Sequence, residues 1–97
     1  MEDEKAIALL EVQAMAAAIA GLDAMLNCAD VRLIHIERRL GGRLVTVAVD
    51  GSIGAVTAAL EAGREAASKV GKVKQSEIIA RPHPEILKFL YTDGNKP

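Results

Sequence analysis

The sequence predicts an α+β fold in which one antiparallel four-stranded sheet carries two helices on one face. Three observations lead to this prediction. The chain of 97 residues has room for one domain, and its hydrophobic content of 51% excludes a disordered chain. Strand-like and helix-like segments follow one another in the order βαββαβ, which is the ferredoxin-like sandwich. That arrangement leaves the other face of the sheet without helices.

The first half of the fold is a strand followed by a helix. Ile7 to Val12 is a short apolar run with a β-branched residue at each end, which predicts the first strand. Ala14 to Leu26 consists mostly of Ala, Met, Leu and Ile, which favour a helix. Because this helix is apolar around most of its circumference, we expect burial on more than one side and close approach of its neighbours.

Two strands and a short connection come next. Val31 to Glu37 and Leu44 to Val49 are predicted strands, and the valines of the second recur at every other position. The connection, Arg38 to Arg43, contains a Gly-Gly pair, and glycine adopts positive φ angles without steric cost. Spacing alone leaves open whether this segment forms a tight turn or a projecting loop.

The remaining elements are a helix, a strand and a short C-terminal helix. Asp50 and Ser52 are candidate N-caps of a helix whose apolar residues recur every three or four positions from Ile53 to Val70. Val73 to Ala80 predicts the fourth strand, and Glu85 to Leu90 predicts the short helix after the prolines.

Composition and charge exclude several classes of function. The net charge of −1 and the absence of aromatic residues from the predicted strands disfavour nucleic-acid binding. The N-terminus lacks the features of a secretory signal, and no apolar stretch is long enough to span a bilayer. Phosphate loops, dinucleotide fingerprints and metal-ligand spacings do not occur in the sequence. We therefore expect one intracellular domain over residues 5–91 with flexible termini (1–4 and 92–97), no cofactor and no membrane partner.

Side chains with catalytic potential occur singly in the sequence. His35 lies in a strand without a recognisable nucleophile, which favours a surface or subunit-contact residue over a catalytic base. Cys28 has no second cysteine to pair with, which favours a small buried or half-buried thiol. Glu11, Glu37 and Asp50 have no paired base. The sequence therefore predicts that the protein is not an enzyme.

The most informative cluster is Arg38, Arg39 and Arg43 around the Gly-Gly pair. In a monomer these arginines would form a solvated basic hairpin. In a cyclic oligomer with the hairpin at its axis, each would recur as a ring that attracts anions. Two guanidinium groups about 10 Å apart in such a ring repel each other by only about 0.4 kcal/mol in water, which solvated side chains tolerate.

Several short segments occur together in a specific order and spacing: Leu10-Glu11, Asp23-Ala24-Met25, Leu44 to Val49, Gly54-Ala55-Val56, Glu61-Ala62-Gly63, Val70-Gly71-Lys72-Val73 and Arg81-Pro82-His83. With these segments the chain, from Ile7 to about Leu90, resembles the single-domain, hexamer-forming shell proteins of bacterial microcompartments. The resemblance implies a homohexamer that tiles with other shell proteins around metabolic enzymes, which are further candidate partners. It also implies a central pore for small polar or anionic metabolites.

The resemblance assigns pore and edge residues. The loop after the second strand is the family's pore loop, which here gives Arg39, Leu40, Gly41, Gly42 and Arg43 as pore-lining residues. This loop is one residue longer between its flanking strands than in common relatives and carries two extra arginines.

The edges of the hexamer are assigned to Asn27, Arg81 and His83. Many relatives carry a lysine shortly after Asp-Ala-Met, where this sequence has Asn27. The resemblance therefore predicts weaker flat tiling by this protein alone, because asparagine lacks the long charged side chain.

An alternative function fits the same predicted fold. A ferredoxin-like domain can act as an oligomeric small-molecule-sensing regulator that binds a metabolite between subunits. A dimer or trimer with a saturable ligand would favour this regulator, whereas sixfold discs would favour the shell protein.

Overall fold

A computed structural model describes residues 5–80, and within that range the predicted order of elements is confirmed. The predicted short helix from Glu85 to Leu90 lies outside the described residues. The elements succeed one another as β1 (Ala6–Val12), α1 (Met15–Cys28), β2 (Arg32–Arg39), a 3-10 turn (Leu40–Gly42), β3 (Leu44–Gly51), α2 (Ile53–Ser68) and β4 (Val73–Ile79).

The four strands form one antiparallel sheet in the order β2-β3-β1-β4. Val12, at the end of β1, pairs with Val45 near the start of β3 and with Val73 at the start of β4. Arg39, at the end of β2, pairs with Leu44. The β2–β3 connection and the start of β4 therefore lie at the same end of the sheet.

Both helices cover one face of this sheet, as the sequence predicts. Alternate residues of β1 and β3 are buried beneath the helices together with Met25 of α1 and Val56 of α2. A fully buried aliphatic side chain of this size contributes about 1.5–3 kcal/mol, so this aliphatic layer holds the fold together without aromatic residues. A smaller cluster around Ile7 and Ala48 lies on the opposite face.

The two helices approach each other closely at Gly21 and Gly63. A Cβ atom on Gly63 would lie 2.6 Å from Cγ of Met25 and 3.2 Å from the carbonyl oxygen of Gly21. These distances are shorter than ordinary van der Waals contact, so a larger residue there would force Met25 and the backbone of α1 to shift. The expected close approach of the alanine-rich helix is thus confirmed.

Helix α1 is buried on more than one side, as expected, because it packs against α2 and against the sheet. Its outer side is not covered within the single chain. Ile19 and Leu26 of α1 are 59% and 43% exposed. Leu33 and Ile36 of edge strand β2 are 37% and 40% exposed, and they pair with residues of the helix-covered face. We call these four residues the apolar strip.

The two candidate N-caps have different roles. Ser52 caps α2, because its Oγ accepts a hydrogen bond of 3.1 Å from the backbone N–H of Ala55. Asp50 lies in β3 and is only 2% exposed, and its carboxylate accepts hydrogen bonds of 3.4 and 3.2 Å from Arg32 on β2. The N-cap interpretation of Asp50 is therefore wrong, since a strand residue paired across the sheet cannot cap the helix.

Candidate functional site

The β2–β3 connection is both tight and projecting. Leu40, Gly41 and Gly42 have φ angles of 55°, 68° and 89°, so three consecutive residues are left-handed. A Cβ atom on either glycine would meet nothing within 4 Å, which places the turn in open space. Glycine adopts this conformation freely, but leucine does so at a cost of about 1–2 kcal/mol.

Arg43 fixes this turn with two hydrogen bonds to one acceptor. Its backbone N–H and its Nε donate to the carbonyl oxygen of Leu40 at 3.3 and 3.2 Å. The carbonyl oxygen of Arg43 in turn accepts a bond of 3.3 Å from the backbone N–H of Ala14, before α1. The loop is therefore attached to the beginning of α1, while the side chain of Leu40 remains 65% exposed.

Ala14 is a second strained residue beside the loop, with φ 82° and ψ 141°. We expect Ala14→Gly to stabilise the fold by about 1 kcal/mol, since relief of backbone strain exceeds the added entropy of the unfolded chain. Ala16→Gly, at an exposed position in the first turn of α1, is the matched control and should destabilise by up to about 1 kcal/mol. Urea unfolding of both variants measures the two changes in the free energy of unfolding. Equal destabilisation by the two substitutions would show that the backbone of Ala14 is not strained.

The three arginines of the connection differ in their surroundings. Arg38 and Arg39 are adjacent in β2, so their side chains leave opposite faces of the sheet. Nε of Arg39 lies 3.3 Å from Oε2 of Glu37, which compensates its charge. No carboxylate within residues 5–80 lies within 4.0 Å of Arg38 or Arg43. The connection thus carries two uncompensated guanidinium groups per chain in the described part of the protein.

A groove runs between the connection, the start of α1 and the start of β4. We call it the loop groove. Three of its lining residues, Met15, Leu40 and Leu44, have large apolar side chains, and two, Arg43 and Lys74, are cationic. In the described part of the chain the groove is lined by Gln13, Ala14, Met15, Leu40, Gly42, Arg43, Leu44 and Lys74. Sequence reasoning did not place Lys74 here, although the strand order of a ferredoxin-like sheet brings the start of β4 to this end.

The predicted edge residue Asn27 lies at the far end of α1. It is exposed in the last turn of that helix, whereas the start of the helix contacts the loop through Ala14. Twelve helical steps separate Met15 from Asn27, which corresponds to about 18 Å along the axis. The other two predicted edge residues, Arg81 and His83, lie outside the described residues.

The environments of His35 and Cys28 differ from those expected. His35 is only 4% exposed, so its interpretation as a surface residue is wrong. A register shift between Leu33 and His35 turns the imidazole toward the face that it shares with Ala48, and its Nε2 lies 3.7 Å from Oε1 of Glu37. Cys28 is exposed rather than buried, because it is the last residue of α1, where its thiol lies 3.7 Å from the carbonyl oxygen of Ala58.

Two further properties concern residues 5–80 only. This part of the chain contains no group of three or more His, Cys, Asp and Glu side chains arranged to hold a metal ion. Neither α1 nor α2 is long and apolar enough to cross a membrane.

The sequence matches a known family over most of its length. The sequence model of the BMC domain matches residues 6–82. The bacterial microcompartment shell protein PduA of Citrobacter freundii is 44% identical over 87 residues, which cover 90% of this chain and 92% of the relative. The carboxysome shell protein CsoS1C of Hydrogenovibrio crunogenus is 41% identical over 93 residues, which cover 95% of this chain and 90% of the relative.

A solved structure has the same fold. The crystal structure of a microcompartments protein from Desulfitobacterium hafniense DCB superposes with a TM-score of 0.79 at 28% sequence identity. The superposition covers 97% of this chain and 49% of the other, so this chain spans about half the length of that protein.

Proposed function

Because the chain belongs to the BMC domain family, we propose that six copies of it close into a shell tile whose central pore is lined by residues 39–43. Like its relatives PduA and CsoS1C, the protein is a structural component of a bacterial microcompartment shell, in the cytoplasm, and not an enzyme. It assembles with other shell proteins. The hexamer, its pore and the roles of individual residues are the proposal.

The placement of the loop and of Asn27 at opposite ends of α1 is the observation that carries this proposal. A wedge-shaped subunit of a ring needs one end at the axis and the other at the rim. Here the projecting glycine turn lies at the start of the helix, and Asn27 lies about 18 Å farther along its axis. This separation supports a central role for the loop and a peripheral role for Asn27.

The apolar strip supports contact between subunits. Ile19 and Leu26 of α1 and Leu33 and Ile36 of edge strand β2 expose apolar surface. Exposed large apolar side chains and an unpaired edge strand both favour association. A neighbouring copy in the ring would cover this strip.

The charges of the connection suggest which molecules pass. Arg38 and Arg43 have no neutralising carboxylate within residues 5–80, so rings of these residues would make the opening electropositive. Gly41 and Gly42 add no side chains and would line the opening with backbone groups. The proposed mechanism is selective conductance of small polar or anionic metabolites, with exclusion of larger or apolar ones.

Native mass spectrometry and negative-stain microscopy of the purified protein test this proposal. We expect a species of six times the 10.2 kDa chain mass and discs with sixfold symmetry. A stable monomer at micromolar concentration would contradict the proposal. A dimer or trimer that saturates with a metabolite would instead support the regulatory domain.

We also propose that Asn27, Arg81 and His83 contact neighbouring hexamers. Under this proposal Asn27→Lys adds a long cationic side chain at the rim and promotes extended sheets or tubes. Electron microscopy at equal protein concentration measures array formation. Glu65→Gln, at an exposed position of α2, raises the net charge by the same single unit and is the control. If the Asn27→Lys protein formed arrays to the same extent as the original protein, the proposal that Asn27 contacts neighbouring hexamers would be wrong.

A further inference from the structure

The loop groove has a size and a lining suited to a small ligand. Its volume of about 630 Å³ falls within the range of roughly 300–1,000 Å³ typical of ligand sites. Apolar side chains from α1, the loop and β3 lie beside the cationic groups of Arg43 and Lys74. Among residues 5–80, no acidic residue lines the groove.

We propose that the loop groove binds a small organic anion with a short alkyl part. Its carboxylate would accept hydrogen bonds from Arg43 and Lys74, and its alkyl part would contact Met15, Leu40 and Leu44. Nε of Arg43 already donates to the carbonyl oxygen of Leu40, so the two Nη groups supply the arginine's contact. Lys74 adds a second positive charge from a different element.

The conformation of Leu40 supports the apolar half of this site. Its side chain is 65% exposed and its φ angle is 55°, a region in which glycine or asparagine is the ordinary residue. Both the exposure and the strain disfavour folding, and strained residues concentrate at functional sites. Contact between Leu40 and the alkyl part of a ligand gives this leucine a role that glycine could not fill.

This site goes beyond the proposed pore, because all of its groups come from one chain. It shares Leu40 and Arg43 with the pore loop, so a bound anion would rest beside the opening. Binding in the groove requires no sixfold symmetry, and conduction through the pore requires no binding in the groove. The two proposals can therefore fail separately.

Ligand-observed NMR titrations of the full-length protein with acetate, propionate and butyrate at constant ionic strength test the site. These probes have one charge each and differ only in alkyl length. Each additional methylene is expected to strengthen binding by about three- to fourfold, as burial of one CH₂ group does. n-Butanol, with the alkyl part but no charge, is expected to bind more weakly than butyrate.

Three variants separate the two halves of the site. Leu40→Gly relieves the backbone strain and should flatten the dependence on alkyl length. Lys74→Gln should weaken binding of all three carboxylates by the same factor, about three- to fivefold for loss of one exposed charged contact. Lys69→Gln, an exposed lysine that does not line the groove, is the matched control and should leave all three affinities unchanged.

Three results would overturn the site: no saturable binding of butyrate, equal affinity for the three carboxylates, or equal effects of Lys74→Gln and Lys69→Gln. A structure of the assembled protein in which a neighbouring copy fills the groove would overturn it as well. Native mass spectrometry of the same samples distinguishes failure of the groove proposal from failure of the pore proposal. Hexamers without binding contradict the groove alone, whereas binding without hexamers contradicts the proposed pore alone.

Discussion

Arg43→Glu is expected to reverse the charge preference of the pore. The substitution changes the charge of each subunit by two units beside the proposed opening. Six charges at about 10 Å interact with a monovalent ion on the axis by about 2.5 kcal/mol in water. Screening at 0.15 M salt, where the Debye length is about 8 Å, reduces this energy to about a third. Reversal of the ring should therefore lower the anion flux and raise the cation flux by about tenfold each at physiological salt. The ratio of the two fluxes should change by about a hundredfold, and by more at low salt. Flux of charged dyes of matched size into reconstituted shells measures this ratio.

Two controls separate local charge from net charge and from loop shape. Arg64→Glu makes the same change in net charge at an exposed position of α2 and should leave the flux ratio unchanged. Arg43→Gln removes the charge without reversing it and should give an intermediate ratio. Arg43 has no role in selectivity if Arg43→Glu shells keep the original ratio, or if Arg64→Glu shifts the ratio as far.

Gly63→Val is expected to destabilise the fold by about 3 kcal/mol or more, at the upper end of what overpacking of a core costs. A Cβ atom at this position would lie 2.6 Å from Cγ of Met25, and that flexible side chain has little space to move because it is itself fully buried. The carbonyl oxygen of Gly21, 3.2 Å from the same position, belongs to the backbone of α1 and cannot move aside without separating the helices. The midpoint of urea unfolding measures the effect.

Gly54→Ala is the matched control for the helix-packing prediction. A Cβ atom on Gly54 would meet nothing within 4 Å, and the residue lies in the first turn of α2. Alanine there should raise stability by up to about 1 kcal/mol, because it reduces the entropy of the unfolded chain. The close approach of the helices would not be a determinant of stability if Gly63→Val unfolded at the same urea concentration as the original protein.

Local patterns in the sequence predicted the elements well because side-chain periodicity reports burial directly. The alternating valines of β3 and the three- and four-residue spacing in α2 predicted the faces that the structure buries. The burial of His35 could not be predicted in this way. A register shift in β2 places it opposite Ala48, and such a shift leaves no trace in the pattern of a single strand.

The candidate site was only partly accessible to sequence reasoning. The Gly-Gly pair indicated positive φ angles, but nothing indicated that Leu40 would share them, since the intrinsic preference of leucine points the other way. Residues 39–43 and Asn27 were assigned by resemblance, and their roles stay predictions. Lys74 reaches the loop groove only through the order of the strands, which is a property of the whole sheet.

The two hydrogen bonds from Arg43 to the carbonyl oxygen of Leu40 have a consequence for redesign and for evolution. One side chain supplies both the charge of the loop and part of the support for its shape, so a substitution that alters the first also perturbs the second. Lysine would keep the charge and lose the Nε donor, whereas glutamine would lose the charge. Changing the charge of the loop without changing its shape therefore has to begin at Arg38 or Arg39. In the described part of the chain, neither of these side chains donates a hydrogen bond to Leu40.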